Sequence, residues 1–176
     1  MDYMVGKTAK RIELRVLAKL FRTIFDLPAS GSVDPILLLD KLHDTELFSD
    51  VDYEVVYNNA LGKTVPAQCV ITDTGYLIQI KESTYNGAYE KGTGGNRMHI
   101  MHEIVHPFVD KLGYKPVKNQ PEATKKIPAY RSLEWIVMAL AGEIMMPYEE
   151  TKGLSVKELM QNYGVSEAAA KKRISY

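Results

Sequence analysis

The sequence predicts an α+β fold with a helical N-terminus, a small antiparallel three-stranded sheet, two central helices and a short helical tail. Three observations carry this. Apolar residues recur at helical spacing near the N-terminus, the period changes to short β-branched and aromatic runs between 51 and 85, and two later segments carry the caps and stops of helices. At 176 residues, 45% of them hydrophobic and 25% charged, the chain suits one domain with at most a small appended module. The expected division is 1–150 as the main domain and 151–176 as a helix-turn-helix-like tail packed on it.

Residues 9–25 place Ile12, Val16, Leu20 and Ile24, with Leu17 and Phe21, three and four apart, which reads as an amphipathic helix ending before Pro28. Asp34-Pro35 opens a second, short helix, with Asp34 as cap and Pro35 in its first position. The runs starting at Val51, Ala67 and Tyr76 are separated by Asn58-Asn59, Gly62 and Asp73-Thr-Gly75, and read as an antiparallel meander.

Gly92 to Asn96 reads as a loop bordering the site, with Asn96 capping a helix from Arg97 to about Leu112, where Gly113 ends it. Pro116, Pro121 and Pro128 make 113–130 an irregular surface loop. Ser132 to Met146, stopped by Pro147, is a strongly apolar helix that should be buried. In the tail, Ser155-x-x-Glu158 is a capping box, and Gly164-Val-Ser166 turns into a last helix ending Lys171-Lys172-Arg173.

Composition excludes several classes. Twenty-two Lys and Arg balance 22 Asp and Glu, so no overall field draws the chain to nucleic acid or an acidic membrane. Residues 7–22 are basic and 26–54 acidic, an asymmetry read as two solvated faces. No apolar run approaches the roughly 18 residues of a membrane span, and lysines and arginines interrupt the first 20 residues as no secretory signal allows. With a lone Cys69, a cytoplasmic, reducing location is expected.

The chemistry centres on His102-Glu103-Ile104-Val105-His106, an HExxH pattern inside a predicted helix. Residues four apart face the same way, so two imidazoles can share one tetrahedral metal while Glu103, about 100° round from His102, reaches a water site. With four His and thirteen Glu in the chain, chance supplies about 0.007 such patterns. His99 and His106 are separated by about 10.5 Å of helix, too far to share a metal about 2.1 Å from each nitrogen, so His99 is expected behind the ligands or in the core. His43 sits in an acidic, exposed stretch.

A third ligand is needed, and the apolar helix after 132 offers Glu134 and Glu143. They lie nine positions apart, about 180° in projection, so at most one can face the metal. Helix position favours neither.

HExxH at 102–106 followed by the Glu134-led, Ala-containing segment ending Met145-Met146-Pro147 resembles the ImmA/IrrE metallopeptidases. The similarity extends to the Asp-Pro helix start, the small sheet, Arg97 five residues before His102 and Tyr163-Gly-Val-Ser166 in the tail. Val105 replaces the family's usual Gly, Val137-Met138 replaces an Ala-Asn pair, and Pro107 directly follows His106, where it is expected to bend the helix. The resemblance implies a zincin-like metallopeptidase domain over 1–150, one Zn2+ per chain held by His102, His106 and Glu134, and Glu143 as a non-ligand. It also implies a protein substrate, typically a helix-turn-helix repressor of a phage or mobile element. Metal-assisted hydrolysis follows, with Glu103 taking and returning the proton. Tyrosines and Arg97 are candidates for the oxyanion helper, and spacing selects none of them.

Weaker signals have plainer readings. Gly6-Lys7-Thr8 and Gly62-Lys63-Thr64 lack the earlier glycine of a phosphate loop. The lysine-rich 111–131 loop reads as solvated surface, with docking of an acidic protein as the alternative. The tail has a helix-turn-helix outline, but one short basic helix gives weak electrostatics, and DNA is not the expected partner. Two rival functions stand beside the zinc endopeptidase: a non-proteolytic metal-binding regulator acting by partner binding, and a DNA-binding transcription factor built on the tail.

Overall fold

The computed structural model describes residues 2–122 and 125–175. Among them are eight α-helices and one three-stranded sheet. In chain order these are α1 (Arg11–Ile24), α2 (Pro35–Asp40), β1 (Val51–Val56), β2 (Ala67–Ile71), β3 (Tyr76–Lys81), α3 (Glu82–Tyr89), α4 (Gly94–Lys111), α5 (Leu133–Met145), α6 (Tyr148–Thr151), α7 (Val156–Tyr163) and α8 (Glu167–Ile174). The fold is α+β, as expected. No described helix is long and apolar enough to cross a membrane.

The sheet corrects one expectation. Its order is β1-β3-β2, with β2 antiparallel to β3 but β1 parallel to it, Val51 opposite Tyr76 and Val56 opposite Lys81. A meander would pair β1 with β2. Instead β3 takes the centre, because Ile78 and Ile80 are fully buried while β1 and β2 expose Val55 and Ile71, and the central position is the one covered on both edges. The link over 57–66 is long enough to carry the chain past β3.

α1 forms where predicted and buries only part of the expected stripe, with Phe21 buried and Leu17 and Ile24 packed against the core. Ile12, Val16 and Leu20 are exposed, whereas Leu14, Ala18, Phe21 and Phe25 are buried. Both stripes have helical spacing, and only packing against α5 selects between them. At α2 the expectation holds: Asp34 accepts a hydrogen bond from the Ile36 N–H at 3.0 Å, and Pro35 occupies the first turn.

The motif helix α4 begins earlier than expected. Thr93 precedes it, and Gly94 and Gly95 form its first turn rather than a loop, with the Arg97 N–H bonded to the Thr93 carbonyl at 3.0 Å. Gly94 is required by a close approach, since a Cβ there would collide with the Val165 backbone of the tail. The helix continues through Pro107 to Lys111. Ile100, Met101, Ile104, Val105, Phe108 and Val109 form its buried back. All four phenylalanines meet there: Phe21 lies 5.4 Å from Phe108 and 4.8 Å from Phe25, and Phe25 lies 4.9 Å from Phe48. Each such pair contributes about 0.5–1.5 kcal/mol beyond its buried area. This cluster presses the back of α4 into the core and leaves its opposite face for chemistry.

α5 packs against both α1 and α4. Residues near the N-terminus lace its start in place, with hydrogen bonds from Val5 N–H to the Arg131 carbonyl (2.8 Å) and from Leu133 N–H to the Tyr3 carbonyl (2.9 Å). In the tail the Ser155/Glu158 capping box forms as expected, Ser166 caps α8, and α8 lies against α4. The segment between α4 and α5 is irregular over its described residues apart from one 3-10 turn at Ala129–Arg131. Two of its lysines face nearby acids, Lys115 with Asp110 and Lys125 with Glu122, and Lys111 at the end of α4 pairs with Asp50.

Candidate metal centre

Helical periodicity sends His102 and His106 out from one side of α4, and the first turn of α5 brings Glu134 opposite them. His102 Nε2 lies 3.1 Å from His106 Nε2 and 3.1 Å from Glu134 Oε2, and His106 Nε2 lies 3.9 Å from Glu134 Oε1. Donors about 2.0–2.2 Å from one zinc stand about 3.3–3.6 Å from each other in a tetrahedron. The observed spacings bracket that edge. These three residues form a group able to hold a metal ion, with two nitrogens and one oxygen as donors. His99 lies outside the group and is exposed, not in the core or behind the ligands as expected, because it sits a turn before His102 at the open start of α4.

Glu134 is set by contacts invisible in any local pattern. Ser132 caps α5 by accepting from the Trp135 N–H at 3.0 Å, and Asp2 accepts from both the Ser132 hydroxyl (2.7 Å) and the Glu134 N–H (3.1 Å). The acid is therefore carried on a doubly capped helix start. Its carboxyl is held below the ordinary value, first by the hydrogen bond with His102. Burial pushes the His106 imidazole down as well, which keeps a nitrogen lone pair available to a cation.

Glu143, on the same helix, is 1% exposed and turned away from the triad. Arg173 Nη1 donates to its Oε1 at 2.9 Å, and Arg11 and Arg15 approach the same oxygen at 3.5 and 3.6 Å. The two acids of α5 thus divide as their half-turn separation requires.

Glu103 lies beside the triad in a cleft of about 570 Å3 lined also by Gln68, Cys69, Tyr76 and Asp110. Burial, partly opposed by His102, raises its carboxyl to about 7. The Cys69 backbone draws it slightly the other way. Because β2 pairs with β3 on one side alone, its other edge faces this cleft. The Cys69 thiol is pushed up to about 12, chiefly by burial. Tyr76 donates to Asp110 Oδ2 at 2.6 Å, and burial raises its phenol.

Arg97, a sequence candidate for stabilising an oxyanion, instead donates to the Val33 carbonyl at 2.7 Å and packs on Gly164. Sequence reasoning missed Asp2, the β2 edge and the Tyr76–Asp110 pair. Asp110 alone carried a signal, since it lies four residues beyond His106 on the same helical face. No family model and no curated protein matches the chain.

Proposed function

We propose that the chain is a zinc-dependent endopeptidase that hydrolyses a peptide bond in a protein substrate. The carrying observation is the His102, His106 and Glu134 donor set at tetrahedral spacing, with Glu103 beside it. Two histidines one helical turn apart, with a glutamate next to the first, favour zinc over the iron that the same two-His, one-carboxylate set can take.

Zinc supplies Lewis acidity, polarising a carbonyl and acidifying a water molecule. The chain's own groups do the rest. Glu103 takes the proton of the attacking water and returns it to the departing amine. Glu103 lines the cleft together with Cys69 of β2. The free edge of β2 offers backbone N–H and C=O groups to an extended peptide, which would lie in the cleft as an added strand. An open strand edge beside an acid and a metal-ligand group fits a peptide better than a small polar substrate.

The resemblance to the ImmA/IrrE peptidases extends the proposal to the substrate, a helix-turn-helix repressor. The test incubates zinc-loaded protein with a repressor encoded beside it. Defined fragments are expected, reduced about 100-fold or more by Glu103→Gln. A stable complex with intact repressor would replace the peptidase with a regulator that acts by binding. Arg173, the last of the three basic residues of α8, is buried against Glu143 and Thr151, so the basic face that this helix could present to DNA is reduced to Lys171 and Lys172.

A further inference from the structure

Next to the metal cleft, and sharing His102 and Glu103 with it, lies a second cavity of about 590 Å3. Its walls come from α4, α5 and α8, including Met98, Trp135, Met138, Gly142 and Ala169. The lining is mostly apolar, with Arg11, His99 and Lys172 among its polar members, and its methionines are flexible and polarisable enough to fit side chains of different shape.

Gly142 shows that the space is not incidental to packing. A glycine within a helix is unfavourable relative to alanine. Yet a Cβ at Gly142 would meet nothing within 4 Å, so no neighbour demands the glycine, and its effect is to leave the cavity open. Arg173 also lines the cavity, is 5% exposed, and has an Nη2 without a hydrogen-bond partner.

We propose that this cavity receives a large apolar side chain of the substrate, next to the cleaved bond, with α8 of the tail as one wall. The inference rests on the peptidase reading. Sharing His102 and Glu103 with the cleft fixes the occupant: a peptide whose carbonyl sits at the triad has its neighbouring side chain at the cavity mouth. A cavity of about 150 Å3 already accepts benzene, so this one admits the largest side chains. It gives the tail a role in specificity.

Two measurements test it separately from proteolysis. Trp135 is the chain's single tryptophan and lines the cavity, so its emission reports occupancy. Full-length Glu103→Gln protein, with and without zinc, is titrated with N-acetyl-phenylalaninamide, N-acetyl-leucinamide and N-acetyl-glycinamide. The two apolar probes should change the emission saturably and the glycine probe should not. Gly142→Leu should weaken their binding by about tenfold or more. Ala169→Leu, from the opposite wall, should do the same if Gly142→Leu fails to fold by circular dichroism. In the second measurement, zinc-loaded wild type digests a mixed peptide library, and cut sites should be enriched about tenfold in Phe, Leu or Met at one flanking position. Gly142→Leu should erase that enrichment at unchanged zinc content. An equal response to the glycine probe, titrations unaffected by both substitutions, or cleavage without apolar preference would overturn the pocket. Absence of any cleavage sinks the peptidase instead and leaves the fluorescence to decide the cavity.

Discussion

Arg173 and Glu143, thirty residues apart in sequence, meet in the interior with Nη1 and Oε1 separated by 2.9 Å and both side chains at most 5% exposed. Arg173 Nε also donates to the Thr151 hydroxyl at 2.9 Å. The last helix is therefore fastened to α5 and α6 by a buried charge. Arg11 and Arg15 of α1 converge on the same carboxylate, so one acid joins α1, α5 and α8.

Removing one partner of a buried pair leaves the other charge uncompensated, which costs about 3–5 kcal/mol. Glu143→Ala should therefore lower the unfolding free energy by about that amount in urea titration. A Glu143→Met, Arg173→Met double variant should recover part of the loss, because it removes the buried Arg173 charge together with its partner, while Arg11 and Arg15 still lose theirs. A double variant no more stable than Glu143→Ala would show that the pair is not the source.

Asp2 acts on the site through the start of α5. Loss of a capping acceptor costs about 1 kcal/mol, and part of that should appear in how well Glu134 is placed. Asp2→Ala is expected to weaken zinc binding about fivefold, measured by competition with a chelating dye, while the content at saturation stays at one per chain. Unchanged affinity would make the Asp2 contacts incidental.

Zinc should stabilise the fold that it binds. At about 100 times its Kd the gain is about 2.7 kcal/mol, visible as a rise in Tm that a chelator reverses. His102→Ala should abolish both the bound zinc and the Tm shift. Retention of stoichiometric zinc by that variant would remove the proposed centre.

Cys69 gives a pH signature. Its thiol titrates near 9 in an unfolded chain and about 12 in the fold. Between these values the folded state keeps a proton that the unfolded state releases, so the thiol's contribution to stability is full below pH 9 and declines as pH rises toward 12. Wild type should lose stability relative to Cys69→Ala across that window. The same shift leaves little thiolate at pH 8, so a disulfide reagent should react at least about 100-fold faster after denaturation. Equal rates before and after would contradict the shift.

The motif and its helix were legible because they are local. HExxH places two imidazoles on one face by the geometry of a single helix, and Asp34-Pro35 and Ser155-x-x-Glu158 act within a few residues of themselves. Sheet topology was less so, because the runs at 51, 67 and 76 are equally compatible with a meander or with β3 in the middle, and burial of Ile78 and Ile80 decides. On α1, two apolar stripes competed and only α5 could choose.

Sequence alone determined the residue types and the spacing of the candidate centre, since covalent order and the α-helical repeat are enough to pair His102 with His106 and to flank them with Glu103. Helix position could not say which acid of α5 completes the set, a choice that only the family resemblance made in favour of Glu134, nor could it name the residues that close the cleft. Those are decided by contacts across thirty or more residues: Asp2 on the start of α5, Arg173 on Glu143, and the unpaired edge of β2 beside Glu103. Such contacts depend on where whole elements come to rest, which is fixed by burial of one shared core and leaves no periodic trace in the chain.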